Sequence, residues 1–304
     1  MAAKGLASWS DEAEKTKEEV EVKAMQVKGG QTAQAPEYVF AGNNTEPRYR
    51  GLSDLYDANT IRYIERCGID RGWSCLEVGG GGGSIASWLC ARVGLNGRVL
   101  ATDIDTRFLR TPSHPNLEVR RHDIRFETLP TGEFNLAHAR LVLMHLPDWQ
   151  NALRKMVDAL KPGGCIIIEE FDDLSFPPDP SINPREISLK IRRPFQQVLA
   201  ARGVNLRCGR LLPQELQANG LVDIGAEANI SVWHGSSAGT DLLKLSWQQL
   251  REPILGSGLI SREEFEADLR RVDGPDYLMP SPMMWTAWGR RLGIRSIPAA
   301  ASDD

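Results

Sequence analysis

The stretch WSCLEVGGGGGSIASWL, Trp73–Leu89, decides the fold that this sequence predicts. An apolar run that ends at Val78 leads into five consecutive glycines, Gly79–Gly83, and Ser84 then opens a second apolar segment. Glycine allows positive φ and close approach of a ligand, and a helix that follows presents free N–H groups to it. The pattern therefore predicts a strand, a tight loop and a helix N-terminus around a nucleotide-like ligand. A flexible linker is the alternative, but it would not be flanked by an apolar strand and an apolar helix.

The spacing of these glycines distinguishes two kinds of nucleotide loop. A dinucleotide fingerprint, G-x-G-x-x-G, needs a third glycine where this chain has Ser84 or Ile85, so the strict form does not fit. An acid two residues before G-x-G-x-G fits better. That acid is Glu77, and the glycines are Gly79, Gly81 and Gly83.

Composition and charge narrow the class of protein. The chain has 304 residues, of which 41% are hydrophobic and 25% charged, as is usual for soluble globular proteins. A net charge of -4 argues against a nucleic-acid partner, which usually requires a basic face. No apolar run approaches the ~20 residues that span a bilayer, and the first residues lack the apolar core of a signal peptide. We therefore expect a cytoplasmic protein without a membrane partner.

The cysteines and histidines predict neither a disulfide framework nor a metal site. Five cysteines are scattered along the chain without a C-x-x-C pair, which indicates free, mostly buried thiols in a reducing cytosol. No group of histidines and acids has the close spacing of metal ligands. We therefore expect no metal.

Apolar runs and helical patterns alternate along most of the chain. This alternation predicts βαβ units and an α/β fold with a doubly wound, mostly parallel seven-stranded sheet. The predicted strands are Cys75–Val78, Arg98–Asp103, Leu117–Arg121, Phe134–Ala139, Cys165–Glu169, Val222–Trp233 and Met283–Trp288. The predicted helices include Asp54–Gly68, Ile85–Val93, Leu153–Leu160, Pro213–Ala218 and Asp241–Leu250.

Three segments lie outside this alternation. Residues 1–35 are rich in Glu and Lys with one weak apolar stripe, which predicts either a solvated tail or a helix that docks on a neighbouring subunit. Residues 171–220 contain a proline-rich insertion, which we expect to form a helical lid over the carboxyl edge of the sheet. Residues 36–291 then form the main domain, and residues 292–304 a loose tail.

Two acids that follow predicted strands extend the nucleotide site. Asp103 ends the second strand, where a carboxylate can accept both hydrogen bonds of a ribose diol. Asp105 is the alternative at this position, and NAD-binding folds use the same device. Asp123 follows the third strand, where it would accept from an adenine amino group while Ile124 covers the ring.

Five segments together resemble the class I S-adenosylmethionine-dependent methyltransferases, and most of all the bacterial enzymes that tailor natural products. The segments are LEVGGGGG, VLATDID, HDI, FNLAHARLVLMHLPD and LKPGGCIIIEEFDD, within residues 54–173. Two positions depart from the family pattern: Asn135 replaces a usual Asp, and Met144 stands where some relatives have the first of two histidines. In small-molecule methyltransferases the segment before the first strand often folds over the cofactor, so Tyr49 and Tyr56 are candidates to cover it.

The resemblance implies a Rossmann-like methyltransferase fold with S-adenosylmethionine as cofactor. The cofactor-binding residues that it implies are Glu77, Gly79, Gly81, Gly83, Asp103, Ile104, Asp123, Ile124 and Arg140. Arg140 is also a candidate for binding a charged group of the substrate. Some sugar O-methyltransferases place a histidine and an acid at the positions that match His145 and Glu170. We therefore predict His145 as general base and Glu170 as its partner or as a hydrogen-bond acceptor for the substrate, with His138 as the second candidate base.

The function that the resemblance implies is methylation of a small molecule, a secondary metabolite, with S-adenosylhomocysteine as product. Transfer to a hydroxyl or carboxyl oxygen is the first expectation. Transfer to carbon or nitrogen is the alternative, because the cofactor half of the site is the same in all three. The rivals are an NAD(P)-linked oxidoreductase and a non-catalytic cofactor-binding subunit, and the expected assembly is a homo-oligomer formed through the N-terminal helix.

Overall fold

The computed structural model describes residues 38–41, 45–109, 114–173 and 189–293. The strands are β1 (Ser74–Val78), β2 (Arg98–Asp103), β3 (Leu117–Arg121), β4 (Phe134–Arg140), β5 (Leu160–Asp172), β6 (Leu221–Asn229), β7 (Val232–His234), β8 (Leu278–Pro280) and β9 (Met283–Arg291). The helices are α1 (Thr45–Arg66), α2 (Ser84–Val93), α3 (Trp149–Ala159), α4 (Arg192–Ala201), α5 (Cys208–Ala218), α6 (Ala238–Gln249), α7 (Arg251–Gly256) and α8 (Arg262–Arg271). Short 3₁₀ turns occupy Thr106–Phe108 and Leu143–His145.

Seven of these strands form one sheet in the order β3-β2-β1-β4-β5-β9-β6. Strands β1 to β5 pair in parallel, and β9 runs antiparallel between β5 and β6. This architecture confirms the predicted doubly wound, mostly parallel seven-stranded sheet. The order reverses beside β1, so β1 and β4 end at the crevice where such sheets bind ligands.

The sheet is buried on both faces, which explains the apolar run in β5. Ile166 and Ile168 belong to one apolar cluster and Ile167 to another, and all three are fully buried. Successive side chains of a strand point to opposite faces, so the two clusters lie on the two sides of the sheet. Helices therefore cover both faces, as a parallel sheet requires.

Helix α1 begins nine residues before the predicted start, at Thr45 rather than Asp54. The local sequence is polar, but Arg48, Leu52 and Tyr56 recur at helical spacing and are buried. Helix α1 packs on α6, which lies about two hundred residues further along the chain. Tertiary packing therefore stabilises a helix that local propensity does not indicate.

Two predicted elements in the second half of the chain have different forms. The predicted strand Val222–Trp233 is two strands, because β6 leaves the main sheet at Asn229 and β7 pairs with β8 in a separate ribbon. The predicted short helix at Pro213 begins at Cys208 and packs on β5, β6 and β9. This end of the predicted lid is therefore part of the packed sheet layer.

One cysteine pair corrects the expectation of five free thiols. Cys67 follows α1 and Cys165 lies in β5, and a disulfide joins them across a Cα–Cα distance of 6.5 Å. Their sequence separation of 98 residues hides this proximity from sequence reasoning. Cys75, Cys90 and Cys208 are free and buried, as expected.

The predicted N-terminal helix at residues 1–35 lies outside the described residues, and so does nearly all of the predicted tail at 292–304. Of the predicted lid at 171–220, residues 174–188 also lie outside them. In the part of the chain that the structure describes, no helix combines the length and apolarity needed to cross a membrane.

Candidate functional site

The glycine loop joins β1 to α2 and is fastened to the end of β2. The amides of Gly79 and Gly80 both donate to the Thr102 carbonyl, at 2.8 and 3.0 Å. Gly79 has a φ of 69°, and a Cβ there would lie 2.2 Å from Val142 Cγ2. Glycine fits this position, because any other residue would be strained at this φ and would place its Cβ against Val142.

Side chains also pack directly on Gly80 and Gly82, the two glycines that the G-x-G-x-G pattern does not require. A Cβ at Gly80 would lie 2.6 Å from Leu109 Cδ2, and one at Gly82 would lie 3.3 Å from Tyr49 Cβ. The ring of Tyr49 also covers Gly81, where a Cβ would lie 3.3 Å from its edge. A larger residue at Gly80 would therefore displace the end of the Leu109 side chain, and one at Gly82 would press on Tyr49. The G-x-G-x-G spacing alone does not reveal these contacts.

Asp103, the predicted ribose acceptor, lies against this loop. Its carboxylate accepts from the Gly81 amide and from the Asp105 amide, each at 2.9 Å, and the residue is buried. Burial raises the pKa of Asp103, although these two hydrogen bonds act to lower it. Each carboxylate oxygen keeps a lone pair for a further donor. The alternative, Asp105, is instead paired with Arg107.

The residues predicted around the adenine lie near the ends of β2 and β3. Ile104 is 39% exposed, whereas Ile124 is buried. The carboxylate of Asp123 is held by the guanidinium of Arg125 at 2.7 Å. Hydrogen bonding to Arg125 lowers the pKa of Asp123, and this effect outweighs that of burial, which raises it. The carboxylate is therefore ionised and already paired with Arg125. Its contact with the adenine amino group of the cofactor stays a prediction.

A buried ion cluster joins the ends of β1, β4 and β5. Glu77 lies opposite His138 in the strand register, and its Oε2 is 2.7 Å from His138 Nδ1. Glu169 Oε2 is 3.2 Å from the other ring nitrogen, Nε2. Glu169 also accepts from the hydroxyls of Thr60 and Thr286. Every nitrogen of this fully buried ring therefore has a carboxylate partner.

The two carboxylates decide the protonation of His138. Burial by itself lowers the pKa of this ring, but the charges and hydrogen bonds of Glu77 and Glu169 raise it to about 9. The ring is then an imidazolium at neutral pH, and both nitrogens donate. Arg140 lies beside this cluster and donates to Thr60 and to Asp57, each at 2.8 Å.

Glu170 holds the turn that follows β4. Its Oε1 accepts from the amides of Val142 and Leu143, at 3.0 and 2.7 Å. This turn includes Leu141, whose φ of 55° is unusual for a residue other than glycine. Oε2 of Glu170 is buried and has no hydrogen-bond partner in the described part of the chain, and burial raises the pKa of this carboxyl to about 8.

His145 ends that turn and faces aromatic side chains. Its ring lies 5.2 Å from the Tyr38 ring and 6.0 Å from the Phe40 ring, both edge to face. Within the described ranges its buried Nδ1 has no hydrogen-bond partner, so no hydrogen bond joins that nitrogen to Glu170. Burial and the nearby charge of Arg48 lower the pKa of His145 to about 3. The ring is therefore neutral at physiological pH.

Two further side chains of this region leave polar atoms unpaired. Arg48 Nε and the Tyr56 hydroxyl are both buried, and neither has a hydrogen-bond partner among the residues that the structure describes. The resemblance suggested Tyr56, but nothing in the segment PRYRG distinguished Arg48 from its neighbours. Only the packing of α1 on α6 shows that Arg48 is buried, and no local pattern could have revealed it.

These features fit S-adenosylmethionine. The loop has no Cβ atoms between a ligand and its backbone, and Asp103 places a buried carboxylate beside it. Buried polar atoms without protein partners usually have a ligand or water partner. Within the described ranges no three His, Cys, Asp or Glu side chains gather as metal ligands.

Comparison with known proteins identifies the family. The family described as "Methyltransferase domain" matches residues 50–226, which is more than half of the chain. This chain belongs to the methyltransferase domain family. The match includes the glycine loop, Asp103, the His138 cluster and the turn with His145.

Individual relatives of this methyltransferase-domain protein are distant. The ubiquinone/menaquinone biosynthesis C-methyltransferase of Nitrosospira multiformis is 28% identical over 152 residues, which cover 46% of this chain and 62% of that protein. The methyltransferase str2 of Strobilurus tenacellus is 34% identical over 99 residues, which cover 32% of this chain and 35% of that protein. This chain spans less than two thirds of the length of either relative.

A solved structure shares the fold. Phosphoethanolamine N-methyltransferase 2 of Haemonchus contortus, solved with phosphomonomethylethanolamine and S-adenosylhomocysteine, superposes with a TM-score of 0.54. The superposition covers 86% of this chain and 61% of that chain, at 14% identity. At this identity the likeness shows the fold alone.

Proposed function

We propose that this protein transfers a methyl group from S-adenosylmethionine to a small-molecule acceptor, a secondary metabolite, and releases S-adenosylhomocysteine. The observation that carries the proposal is the bare glycine loop beside the buried Asp103 carboxylate, next to a group of unpaired buried polar atoms. Membership of the methyltransferase domain family supports it.

The residues of the chain have three tasks in this proposal. When bound, the cofactor supplies an electrophilic methyl group to a nucleophile aligned within about 3–3.5 Å. The loop and Asp103 hold the adenosine side, and Tyr49 covers the loop. Glu170 fixes the turn that presents His145. The His138 cluster ties β1, β4 and β5 together beneath the site.

An oxygen acceptor is the first candidate, with His145 as base. The neutral ring offers the unpaired Nδ1 to the proton of an acceptor hydroxyl. The Arg48 charge disfavours protonation, so an anion bound beside Arg48 would raise the pKa of His145 and make it a better base. His138 is less suited to this task, because both of its nitrogens are engaged by carboxylates.

A carbon acceptor is the second candidate. It is favoured by the relative from Nitrosospira multiformis, which is named a C-methyltransferase. The cofactor side of the site would be unchanged, and the difference would lie in the acceptor. Product analysis decides between the two, because an O-methyl and a C-methyl group differ in carbon chemical shift.

Calorimetric titration of the wild-type protein with S-adenosylhomocysteine and with NADH tests the cofactor. We expect binding of S-adenosylhomocysteine, and binding of NADH alone would overturn the proposal. Incubation of cell extract with S-adenosylmethionine that carries a CD₃ group then tests transfer, read by mass spectrometry as a labelled product. Cofactor binding without any labelled product would indicate a non-catalytic subunit.

His145→Ala tests the base. We expect S-adenosylhomocysteine affinity to be unchanged and turnover to fall roughly 10²- to 10⁴-fold. His234→Ala, at an exposed histidine of β7, is the matched control. Turnover equal to that of the control would remove His145 from the mechanism.

A further inference from the structure

Arg48 is a buried cation of helix α1. The residue is 6% exposed, and no carboxylate pairs with it among the residues that the structure describes. Its Nη1 donates to the Ser246 hydroxyl at 2.7 Å, and its guanidinium carbon lies 3.9 Å from the Phe40 ring centroid. Its Nε finds no hydrogen-bond partner among the described residues. A further side-chain hydrogen bond joins the guanidinium to Tyr38. The partners that the described residues provide are therefore neutral, and the positive charge is not compensated by them.

Arg140, in contrast, has a carboxylate partner within the protein. The Arg140 guanidinium meets the Asp57 carboxylate at 2.8 Å and the Thr60 hydroxyl at 2.8 Å. Arginine is almost never fully buried unless it is paired, because an uncompensated buried charge is costly. An unpaired arginine at this depth therefore points to an anion that arrives with a ligand.

The surroundings of Arg48 place it in the candidate site. Its guanidinium lies over the Phe40 ring, whose centroid is 6.0 Å from that of His145. Its charge adds to the burial that lowers the pKa of His145. Tyr49 covers the glycine loop, and His145 ends the turn after β4. Arg48 therefore lies between the cofactor loop and the predicted base.

We propose that Arg48 binds a carboxylate of a ligand in this site. A guanidinium presents two parallel N–H donors that match the two oxygens of a carboxylate. The proposal rests on the proposed function, since it identifies one group that a ligand of that site must carry. The family match begins at residue 50, so it does not include Arg48. The carboxylate belongs either to the methionyl part of the cofactor or to the acceptor, and the experiment separates these two sources.

Arg48→Met removes the charge and keeps an unbranched side chain, and Arg50→Met is the matched control. Arg50 lies on the same helix, but its side chain is 74% exposed and pairs with Glu46 at the surface. The first measurement is the unfolding midpoint of the ligand-free proteins. We expect Arg48→Met to be as stable as the wild type or more so, because Ser246 keeps its bond to the Leu242 carbonyl. A midpoint several degrees lower than that of the control would show a structural arginine and overturn the proposal.

The second measurement compares ligands with and without a carboxylate. S-adenosylhomocysteine and its decarboxylated analogue are titrated into wild type and both variants by calorimetry. If the cofactor supplies the carboxylate, Arg48→Met loses affinity roughly 10- to 100-fold for S-adenosylhomocysteine alone. The decarboxylated analogue then binds wild type and variant equally.

The third measurement tests the acceptor as the source. Phenylacetate and the uncharged 2-phenylethanol are titrated into protein saturated with S-adenosylhomocysteine. If the acceptor supplies the carboxylate, Arg48→Met loses affinity for phenylacetate by a similar factor and keeps its affinity for S-adenosylhomocysteine. Unchanged affinity for both carboxylates would overturn the proposal. A wild type that binds no S-adenosylhomocysteine would overturn the proposed function instead, and phenylacetate titrated into ligand-free protein would then decide the role of Arg48.

Discussion

Two groups of buried polar side chains lie near the carboxyl ends of the strands, and they differ in their hydrogen-bond partners. In the cluster around His138, each ring nitrogen has a carboxylate, and Glu169 has two further hydroxyl donors. In the group around His145, three buried atoms have no partner among the described residues: His145 Nδ1, Arg48 Nε and Glu170 Oε2. Both groups contain a histidine and lie near an arginine. The difference is whether the chain supplies the partners.

This difference in hydrogen-bond partners distinguishes side chains that stabilise the fold from side chains that are available to a ligand. A satisfied buried network fixes the strands relative to one another, and it is costly to disturb. An unsatisfied group costs stability in the folded protein, and such groups persist where function requires them. We therefore propose that the His138 cluster positions the strands and that the His145 group serves binding and chemistry.

The largest expected effect comes from breaking the satisfied cluster. His138→Leu leaves Glu77 and Glu169 buried without the ring that pairs them, and we expect the free energy of unfolding to fall by about 3–5 kcal/mol. Denaturant unfolding measures this change, with the exposed His234→Leu as control. A loss below about 1 kcal/mol would mean that the cluster does not hold the strands.

The pH dependence of stability sharpens the same comparison. The pKa of His138 is raised to about 9 in the folded protein, so its contribution is full below about pH 6.5 and is lost as pH rises towards 9. Glu170, with a pKa raised to about 8, loses its contribution over an overlapping range. The difference between wild type and His138→Leu isolates the histidine. We expect that difference to shrink by on the order of 2–3 kcal/mol between pH 6.5 and 9, and a constant difference would contradict the charged ring.

The smallest effects come from two tyrosines of α1 that differ in their partners. The Tyr63 hydroxyl donates to Glu227 at 2.8 Å and accepts from Asn229 at 2.9 Å, whereas the Tyr56 hydroxyl has no partner. We expect Tyr63→Phe to cost about 1–2 kcal/mol and Tyr56→Phe less than about 0.5 kcal/mol. Denaturant unfolding of both variants provides the comparison, with each tyrosine as the control for the other. Equal losses would show that the Tyr56 hydroxyl already has a partner in the ligand-free protein.

The sequence predicted the parts of this molecule that local pattern determines. Alternating apolar and helical segments predicted the sheet, and the glycine run with Glu77 and Asp103 predicted the loop and its neighbouring carboxylate, which the structure brings together. Those features depend on residues that are adjacent in the chain or that end consecutive strands. Parallel strands with short connections leave little freedom in where such ends meet.

The remaining features depend on contacts between distant parts of the chain. Glu77, His138 and Glu169 form a cluster only because the strand register brings them together. The burial of Arg48 depends on α6, and its polar surroundings in the sequence predict a turn. Neither contact has a periodic or compositional signature, so sequence reasoning identified the loop and missed the residue that we propose to bind the carboxylate.

A titration of the ring carbons of His138 and His145 by NMR tests the central contrast most directly. Signals are assigned by single substitution, and pH is varied across the range in which the protein stays folded. The account predicts that His138 remains charged up to about pH 9, and that His145 remains neutral to the acid limit of the folded state. Addition of S-adenosylhomocysteine and phenylacetate should then move the His145 signal and leave that of His138 in place. Two histidines that both titrate near pH 6.5, or a ligand response at His138 alone, would contradict the account.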